Sequence, residues 1–451
     1  MLYLKNDNII YTERCWFSSR KIKMSHFFQE IWSRKRAFLL FVPLTLLYST
    51  SYFQRTAIPG TIFNQLQSDL QMTALQVSYI GASFIYIYSL SQLFIGYLVD
   101  RFGARKVVMI GGAVFCAGVV SFPLLSSPPL LYLARMISGI GAGTMYLSLL
   151  RESDRLFGRE NYSVMIGVVF VCGYAGGLFG TLPFERLTAF FPWRSVLLVA
   201  GLLSLCYYIW FAIAYSTRDG RASVPAGVKK TSGWKETWQM FSNVYLWLDV
   251  FCGTLNFAIY FVIQTVVGKK LLHDAAGMSS SSAATVIFAL TLVCMTVLLS
   301  SATLTRLCNN RRKPLMIFAS SLEVVNIAVM CCALYFRLPA WVFAACFISF
   351  AVASGTLISF SLTAQELGSP STMTRSAGFY NMTNYLGVVM LSPLVGWFLD
   401  RFGNPVTVDG VVIHSVDAYL KLFCCLFILA ISGAVAVHFI PETKGKFMRE
   451  D

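Results

Sequence analysis

The sequence predicts an all-α membrane protein with twelve transmembrane helices in two six-helix halves. Three observations support this prediction: the composition, the number of long apolar segments and the placement of basic residues between them. Of the 451 residues, 56% are hydrophobic and 13% are charged, whereas soluble domains carry about 25% charged residues. Such a chain cannot cover itself with polar surface, so lipid is its expected solvent.

Twelve apolar segments are long enough to cross a bilayer, which requires about 20 residues per helix. The first six lie near residues 37–62, 75–98, 106–126, 129–150, 162–184 and 193–215. The second six lie near residues 244–267, 280–304, 314–336, 339–363, 376–398 and 417–440. The interval 216–243 is the longest and most polar, with six segments on either side. We therefore expect an N-terminal half at 37–215, a linker at 216–243 and a C-terminal half at 244–440.

Basic residues concentrate in alternate intervals between these segments and at both ends of the chain. The tail 1–36 contains eight of them, and the second interval contains Arg101, Arg105 and Lys106. Positive residues mark the cytoplasmic side of a membrane. We therefore expect a multi-pass protein of the cell's inner (plasma) membrane, with the tails 1–36 and 441–451 both cytoplasmic. Either Met1 or Met24 could be the start.

The charge and the cysteines exclude several function classes. The formal charge of +15 does not indicate nucleic-acid binding, because the basic residues form no patch on a polar domain. The 12 cysteines include no CxxC pair and no Cys/His cluster, so we expect neither a metal nor a cofactor. We interpret them as small helix-packing residues. With no nucleophile–base set in the sequence, we do not expect an enzyme.

The segment GYLVDRFGARK, residues 96–106, lies between the second and third segments. The residues of this segment with an expected role are Gly96, Asp100, Arg101, Gly103 and Arg105. Gly96 allows close helix approach and Gly103 permits a tight turn. Asp100 can bind a helix N-terminus or an arginine, and such contacts can break and re-form as packed halves rock. The segment is thus a candidate gate between the halves.

This segment closely resembles the signature of the major facilitator superfamily, G-x-x-x-D-R-x-G-x-R-K. The resemblance implies two halves that alternate access to one central site, with the acid of the motif lying against the eleventh helix. The corresponding second-half segment, TLTRLCNNRRK at 303–313, has Thr305 where an acid would stand. We therefore expect gating to depend mainly on Asp100. A second DRFG at 400–403 is interpreted as a coincidence.

The first apolar segment, TLLYSTSYFQRTAIPGTIF at 45–63, contains an arginine, Arg55. A guanidinium facing lipid costs about 2.5–3.5 kcal/mol on an insertion scale, so we expect it to face a polar cavity. Tyr48, Tyr52 and Arg55 are spaced i, i+4 and i+7 and share one helical face. An arginine fork flanked by phenols suits an anionic ligand, because the fork accepts a carboxylate bidentately.

A second intramembrane arginine, Arg135, lies in LYLARMISGIGAG at 131–143. This segment resembles the helix-four motif of the same superfamily. Arg55 and Arg135 lie at similar distances from the outer ends of their helices, so we expect them at one membrane depth, in a shared aqueous cavity. The alternative for either arginine is a structural role, bonded to carbonyls or to an acid between helices.

The segment YFQRTAIPG resembles the first-helix arginine motif of the anion:cation symporter branch, which carries sugar acids, other carboxylates and phosphate. Proton-coupled members often have an acid before this arginine and another on helix four. Here those positions hold Gln54 and Ala142. The remaining embedded acids are Asp249 and Glu323, and each is a candidate proton carrier or a structural counterion.

Two polar clusters in the second half are candidate ligand contacts. Asn256, Tyr260 and Gln264 share one face of the seventh segment, and Asn381, Asn384 and Tyr385 form another polar cluster in the eleventh. Amides and phenols suit the hydroxyls or the distal end of a ligand. The alternative is hydrogen bonding between helices.

These observations together predict a monomeric secondary active or facilitative transporter, working by alternating access on a small organic anion such as a carboxylate or a sugar acid. Its partners would be that small molecule and the lipid bilayer, with protons as a further candidate in a symport cycle. One alternative is an efflux pump for drugs or other amphipathic compounds. The other is a porter of a neutral solute such as a sugar, which should tolerate loss of Arg55.

Overall fold

The computed structural model describes residues 35–72, 74–216, 234–402, 406–408 and 411–449. Nearly all of the predicted tail 1–36 and most of the predicted linker 216–243 lie outside these ranges. The N-terminal half is built from seven helices: α1 Lys35–Ala57, α2 Phe63–Leu70, α3 Ala74–Phe102, α4 Ala104–Ser121, α5 Pro128–Phe179, α6 Leu182–Phe190 and α7 Trp193–Ser216.

The C-terminal half begins with a short helix from the linker region and continues through eight more. They are α8 Trp234–Phe241, α9 Val244–Val262, α10 Gly268–Asp274, α11 Ser280–Leu307, α12 Lys313–Tyr335, α13 Ala340–Thr356, α14 Ile358–Glu366, α15 Met373–Phe402 and α16 Val416–Ala436. A π-helical segment, Ile263–Val267, joins α9 to α10. Such segments interrupt the regular helical hydrogen bonding and are often found at functional sites.

Eleven segments of the described residues are long and apolar enough to cross a membrane. The longest of them contains α5, whose 52 residues would extend about 78 Å as a straight helix. That length suffices for two crossings of a hydrocarbon core about 30 Å thick. Gly158, with φ 74° and ψ 165°, separates the two parts. The structure is therefore consistent with the predicted twelve transmembrane helices.

The sequence predicted two separate helices at 129–150 and 162–184, and Gly158 divides α5 between them, because its dihedral angles are not helical. On either side of Gly158 the polar interval is helical. It contains three arginines and two glutamates, which favour helix, and no proline. Glu152 and Arg155 form an ion pair one turn apart at 2.5 Å. The charged residues indicate that this interval lies outside the membrane, and their helix propensity extends the two helices up to Gly158.

A small hairpin, which was not predicted, lies between α15 and α16. Its strands β1 Val406–Val408 and β2 Val411–Ile413 are antiparallel, with Val406 opposite Ile413. The sequence contained the signal, because an Asp-Gly dipeptide between two runs of β-branched residues is a strong hairpin indicator.

The two halves pack against each other mainly through α3 with α15 and through α5 with α11. Glycines allow the closest approaches. A Cβ atom on Gly96 would lie 2.8 Å from the Thr374 carbonyl oxygen, and one on Gly378 would lie 2.6 Å from that of Gln92. These contacts bring α3 and α15 together along one side of the central region.

Candidate functional site

Arg55 of α1 lies inside a cluster of aromatic rings, which we call the aromatic box and define as Tyr52, Phe84, Tyr88 and Tyr385. The guanidinium carbon lies 4.5 Å from the ring centres of Tyr52 and Tyr88, 4.9 Å from that of Tyr385 and 5.9 Å from that of Phe84. A cation over aromatic faces at these distances is held by the ring quadrupoles. Since Tyr385 belongs to α15, both halves build the box.

The guanidinium of Arg55 keeps most of its hydrogen-bonding capacity free. Its Nη1 donates to the hydroxyl of Tyr385, across the boundary between the halves. Its Nε and Nη2 are buried and have no hydrogen-bond partner among the residues that the structure describes. Buried donors are almost always paired, so this edge of the guanidinium is arranged to receive an acceptor that the protein itself does not supply.

Further tyrosines extend the box toward α5. Tyr48 packs against Tyr52 at 5.1 Å between ring centres and stacks on Tyr146 at 6.0 Å, while Tyr174 lies 6.0 Å from Tyr52. Of these, the sequence analysis had selected Tyr48 and Tyr52. Tyr88 had a signal in the sequence, because it lies one helical turn after Phe84 on the same face. Tyr146 and Tyr174 had none that separates them from ordinary core residues.

Arg135, which we expected to contact the ligand, is hydrogen-bonded to the backbone of the N-terminal half. It contacts the same Phe84 ring, at 4.4 Å, which is consistent with the expected common depth. Its guanidinium, however, donates to three backbone carbonyls: Gln54 at 3.2 Å, Ile58 at 3.2 Å and Ile80 at 3.3 Å. The side chain is 1% exposed. This geometry matches the alternative that the sequence left open, a structural arginine that ties the end of α1 to α3.

The three predicted contacts on α9 and on the π-helical segment that follows it face different neighbours. Asn256 donates to the Cys252 carbonyl at 2.7 Å and to Ser320 Oγ at 3.3 Å, so its amide lies inside the C-terminal half. Gln264 donates to Thr291 Oγ1 at 3.0 Å. The Tyr260 hydroxyl instead lies beside Cys294, which also contacts Tyr174 of the N-terminal half. Of the three, Tyr260 is therefore the residue that reaches the boundary between the halves.

The predicted amides on α15 also separate. Asn381 donates to Gln92 Oε1 at 2.8 Å and to the Tyr88 hydroxyl at 3.2 Å, so it crosses to α3 and orients one wall of the aromatic box. Asn384 accepts from Thr254 Oγ1 at 3.2 Å and so binds α9 within its own half.

Asp100 lies against the start of α15, where the resemblance placed the acid of the motif. Its carboxylate accepts from the backbone N–H of Thr374 at 3.3 Å and of Arg375 at 3.0 Å, and it pairs with Arg375 Nε at 3.4 Å. A carboxylate at a helix N-terminus meets unpaired N–H groups and the positive end of the helix dipole. This contact holds α3 to α15 at the end of the bundle that we call the Asp100 end.

The rest of the motif surrounds this contact. Gly103 adopts φ 82°, which permits the turn between α3 and α4. Arg101 donates to the Tyr97 hydroxyl, and Arg105 follows in the first turn of α4. In the corresponding second-half segment, residues 303–313, Thr305 replaces the acid of the motif. Its hydroxyl donates within its own helix, to the Ser301 carbonyl at 2.8 Å.

A second ionic cluster at the Asp100 end had not been selected from the sequence. Its centre is Glu366, which is fully buried and accepts from Arg312 Nη2 at 3.0 Å, Arg159 Nη2 at 3.4 Å and Thr443 Oγ1 at 2.5 Å. Arg159 belongs to the N-terminal half and Thr443 to the C-terminal tail. Closure of this end therefore involves more than Asp100.

The two embedded acids lie in the C-terminal half, away from Arg55. Asp249 is fully buried, and neither of its carboxyl oxygens has a hydrogen-bond partner within the described ranges. Glu323 is 3% exposed, and its Oε1 likewise lacks a described partner. Both acids lie where an ionised carboxylate is costly to bury.

The comparison with known families now decides the class of protein. The model of the Major Facilitator Superfamily matches residues 44–392. The chain belongs to this superfamily. It is therefore a multi-pass membrane transporter, and the twelve crossings agree with the fold of that superfamily.

Several transporters are similar to the chain in sequence. The chain is 22% identical to an uncharacterised MFS-type transporter of Mycobacterium tuberculosis, over 84% of this chain and 79% of that one. It is 32% identical to a probable chloroplastic anion transporter of Arabidopsis thaliana over 29% of this chain, and 28% identical to a galacturonate transporter of Dickeya chrysanthemi over 36%. It spans 26% and 47% of those two proteins.

The structure of the proton:xylose symporter XylE bound to 6-bromo-6-deoxy-D-glucose has the same fold. It superposes with a TM-score of 0.65 and covers 92% of this chain and 98% of that chain, at 15% identity. At this identity the likeness establishes the fold of the superfamily and not a shared substrate.

Proposed function

We propose that this superfamily member transports a small organic anion, such as a carboxylate or a sugar acid, and that Arg55 binds the anionic group. The observation that supports this most strongly is the pair of buried, unpartnered donors on Arg55, inside the aromatic box. A planar carboxylate can accept from two parallel N–H groups of one guanidinium. A neutral solute would leave the positive charge uncompensated in a buried site.

Tyr52 and Tyr88 pack on the guanidinium, and Tyr48 packs on Tyr52. The hydroxyls of these tyrosines would bind the rest of the ligand. Tyr260 contributes from the C-terminal half, and Asn381 acts through Tyr88, to which it donates a hydrogen bond. We assign Arg135 to holding the carbonyls behind this site, and Asn256, Gln264 and Asn384 to contacts within the C-terminal half. The printed functions of two relatives, an anion transporter and a galacturonate transporter, are consistent with an anionic substrate.

The ligand would reach Arg55 by alternating access. Hydrogen bonds between the halves extend from Arg55 and Tyr385 through Asn381 and Gln92 to Asp100. In this conformation the halves are thus joined from the level of the aromatic box to the Asp100 end. The ligand would enter from the opposite end, and separation of Asp100 from α15 would release it at the other.

We further propose the orientation and organisation that the charge pattern indicated. The Asp100 end, the tails 1–36 and 441–451 and the linker 216–243 would lie on the cytoplasmic side of the plasma membrane. The halves 37–215 and 244–440 would move as two units of a monomer.

Counterflow in liposomes tests the substrate class. Purified protein would be loaded with an unlabelled compound, and uptake of the radiolabelled compound would be measured for glucuronate, lactate, phosphate, glucose and tetraphenylphosphonium. We expect exchange of a carboxylate by the wild type. We expect about a tenfold or greater loss in Arg55→Lys, which keeps the charge but loses the bidentate fork. Exchange of glucose, undiminished in Arg55→Ala, would indicate a neutral-solute porter, and exchange of the cation alone would indicate a drug carrier.

A further inference from the structure

The short helix α8 has no part in the anion site, but one of its faces packs against the contact that joins the halves at the Asp100 end. Thr237 Oγ1 accepts a hydrogen bond from Arg375 Nη1 at 2.6 Å, and Arg375 Nε pairs with Asp100 at 3.4 Å. Met240, one helical turn after Thr237, is buried in the same hydrophobic cluster as Phe379 of α15. One arginine thus connects the inner face of α8 to the acid of the motif.

The face that α8 turns away from the protein carries a tryptophan. Trp238 is 72% exposed, and both Lys235, one turn before it, and Gln239, directly after it, are exposed as well. Tryptophan is enriched where a membrane meets water, because its ring is apolar and its N–H is polar. The outer face of α8 therefore has the composition of a surface that lies in the interface of a bilayer.

The position of α8 in the chain holds this face beside the membrane. Ser242 and Asn243 alone separate α8 from α9, and the membrane-spanning segment begins at Val244. Two residues extend about 7 Å at most, which is comparable with the depth of the headgroup layer on one side of a bilayer. Trp247 Nε1, in the first turn of α9, donates to the Phe241 carbonyl at 2.8 Å. This bond fixes the end of α8 at the level where the span begins.

Basic residues from two parts of the chain lie around the exposed indole. Lys235 belongs to α8, and Arg449 of the C-terminal tail donates to the Gln239 carbonyl at 2.9 Å. Glu236, the acid of α8, acts electrostatically on Arg375 and has one buried carboxyl oxygen, so it lies toward the protein. The outer face of α8 is therefore positively charged. Basic residues next to a membrane-spanning helix attract anionic lipids.

We propose that α8 binds the headgroups of anionic phospholipids in the leaflet at the Asp100 end, and that this binding stabilises the closed state of that end. The indole of Trp238 inserts among the headgroups, and the cationic groups of Lys235 and Arg449 bind the lipid phosphates. This role is independent of the transported solute.

The hydrogen bond between Thr237 and Arg375 links lipid binding to the contact between the halves. The backbone N–H of Arg375 donates to Asp100 at 3.0 Å, next to the ion pair that its side chain makes with the same carboxylate. A helix fixed at the bilayer surface keeps the guanidinium in place, so less side-chain freedom is lost when the ion pair forms. Lipid binding and closure of the Asp100 end therefore strengthen each other.

Hydrogen–deuterium exchange in lipid nanodiscs tests the proposal on the full-length protein. Nanodiscs of phosphatidylcholine alone would be compared with nanodiscs that also contain phosphatidylglycerol, and exchange would be followed in residues 234–241 of α8 and 373–379 of α15. We expect phosphatidylglycerol to slow exchange in both segments of the wild type, at least about fivefold in α8, which corresponds to one basic residue at an anionic surface.

Two variants of the outer face and two matched controls locate the effect. We expect Lys235→Gln and Trp238→Ser each to lose most of the slowing by phosphatidylglycerol. Lys421→Gln and Trp341→Ser should keep it, although they remove the same groups from the same half. Lys421 is exposed near the start of α16 and Trp341 is 70% exposed at the start of α13, both away from the Asp100 end. All four side chains are exposed, so the variants should fold.

Several results would overturn the proposal. They are equal exchange of 234–241 in the two lipid compositions, slowing that survives in Lys235→Gln and Trp238→Ser, and slowing that the two control variants lose equally. Slowing confined to 234–241, with 373–379 unchanged, would contradict the link to closure. Slowing by inorganic phosphate in phosphatidylcholine nanodiscs would assign the site to a free anion. Slowing that rises with protein concentration in detergent would assign the face to a second copy of the chain.

Discussion

Replacing Arg135 and Arg55 separately by methionine should distinguish a structural arginine from a ligand-binding one. Arg135 donates to the carbonyls of Gln54 and Ile58 at the C-terminal end of α1, where helix geometry leaves carbonyls without intrahelical partners. Each buried acceptor that loses its donor costs about 1–3 kcal/mol. The third carbonyl, of Ile80, lies inside α3 and keeps its helical bond. We therefore expect Arg135→Met to destabilise the protein by about 2–6 kcal/mol.

Arg55→Met should destabilise the protein far less than Arg135→Met. The variant loses ring contacts worth about 0.5–1 kcal/mol each with Tyr52, Tyr88 and Tyr385. It also removes a buried cation with two unpartnered donors, each of which costs about 1–3 kcal/mol in the folded protein. These effects nearly cancel, so the stability of Arg55→Met should stay close to that of the wild type.

The assay is thermal unfolding in detergent, followed by a thiol-reactive fluorophore. Buried free cysteines such as Cys116, Cys252 and Cys294 report the loss of structure. We expect Arg135→Met to melt well below the wild type and Arg55→Met to melt close to it. If Arg55→Met melts as low as Arg135→Met or lower, Arg55 is a structural residue and the reasoning for an anion site fails.

Three further perturbations test the gate, the half interface and the outer surface. Asp100→Asn removes the charge that binds two N–H groups of α15, so spin labels across that end should shift to longer distances in electron–electron resonance. Gly378→Val places a Cβ atom 2.6 Å from the Gln92 carbonyl and should sharply reduce exchange, whereas Gly433→Ala, with its nearest neighbour 3.7 Å away, should not. Burial raises the pKa of Asp274, but hydrogen bonds from backbone, histidine, lysine and tyrosine groups outweigh it and lower the pKa. Its carboxylate therefore stabilises the fold fully above the ordinary pKa, and this effect is lost as pH falls through the lowered pKa of the folded state. The melting difference between wild type and Asp274→Asn should therefore be large near pH 7 and shrink as the pH is lowered into the acid range.

Most helices could be predicted because each apolar segment has the length that a bilayer demands and is bounded by turn formers or charges. The extension of the two helices up to Gly158 could not be predicted, since the arginines and glutamates beside it indicate both a position outside the membrane and a continuing helix. The hairpin before α16 has an Asp-Gly dipeptide between β-branched residues, a local signal that is independent of the hydropathy pattern.

The site was predictable within one helix and not between helices. Tyr48, Tyr52 and Arg55 share a face because of helical periodicity alone. The contact with Tyr385 depends on how α15 packs against α1, which the sequence of either helix does not reveal. The same limit explains Arg135, whose carbonyl partners become available only where α1 ends beside α3, and Glu366, whose partners come from three distant parts of the chain.

The most direct test of the central claim is equilibrium binding of a carboxylate and of its neutral amide to purified protein. Glucuronate and glucuronamide differ only at the group that Arg55 would bind. We predict that the wild type binds glucuronate at least about tenfold more tightly than the amide, and that Arg55→Lys removes most of this preference. Equal binding of acid and amide by the wild type, or an unchanged preference in Arg55→Lys, would contradict the assignment of Arg55 as the anion anchor.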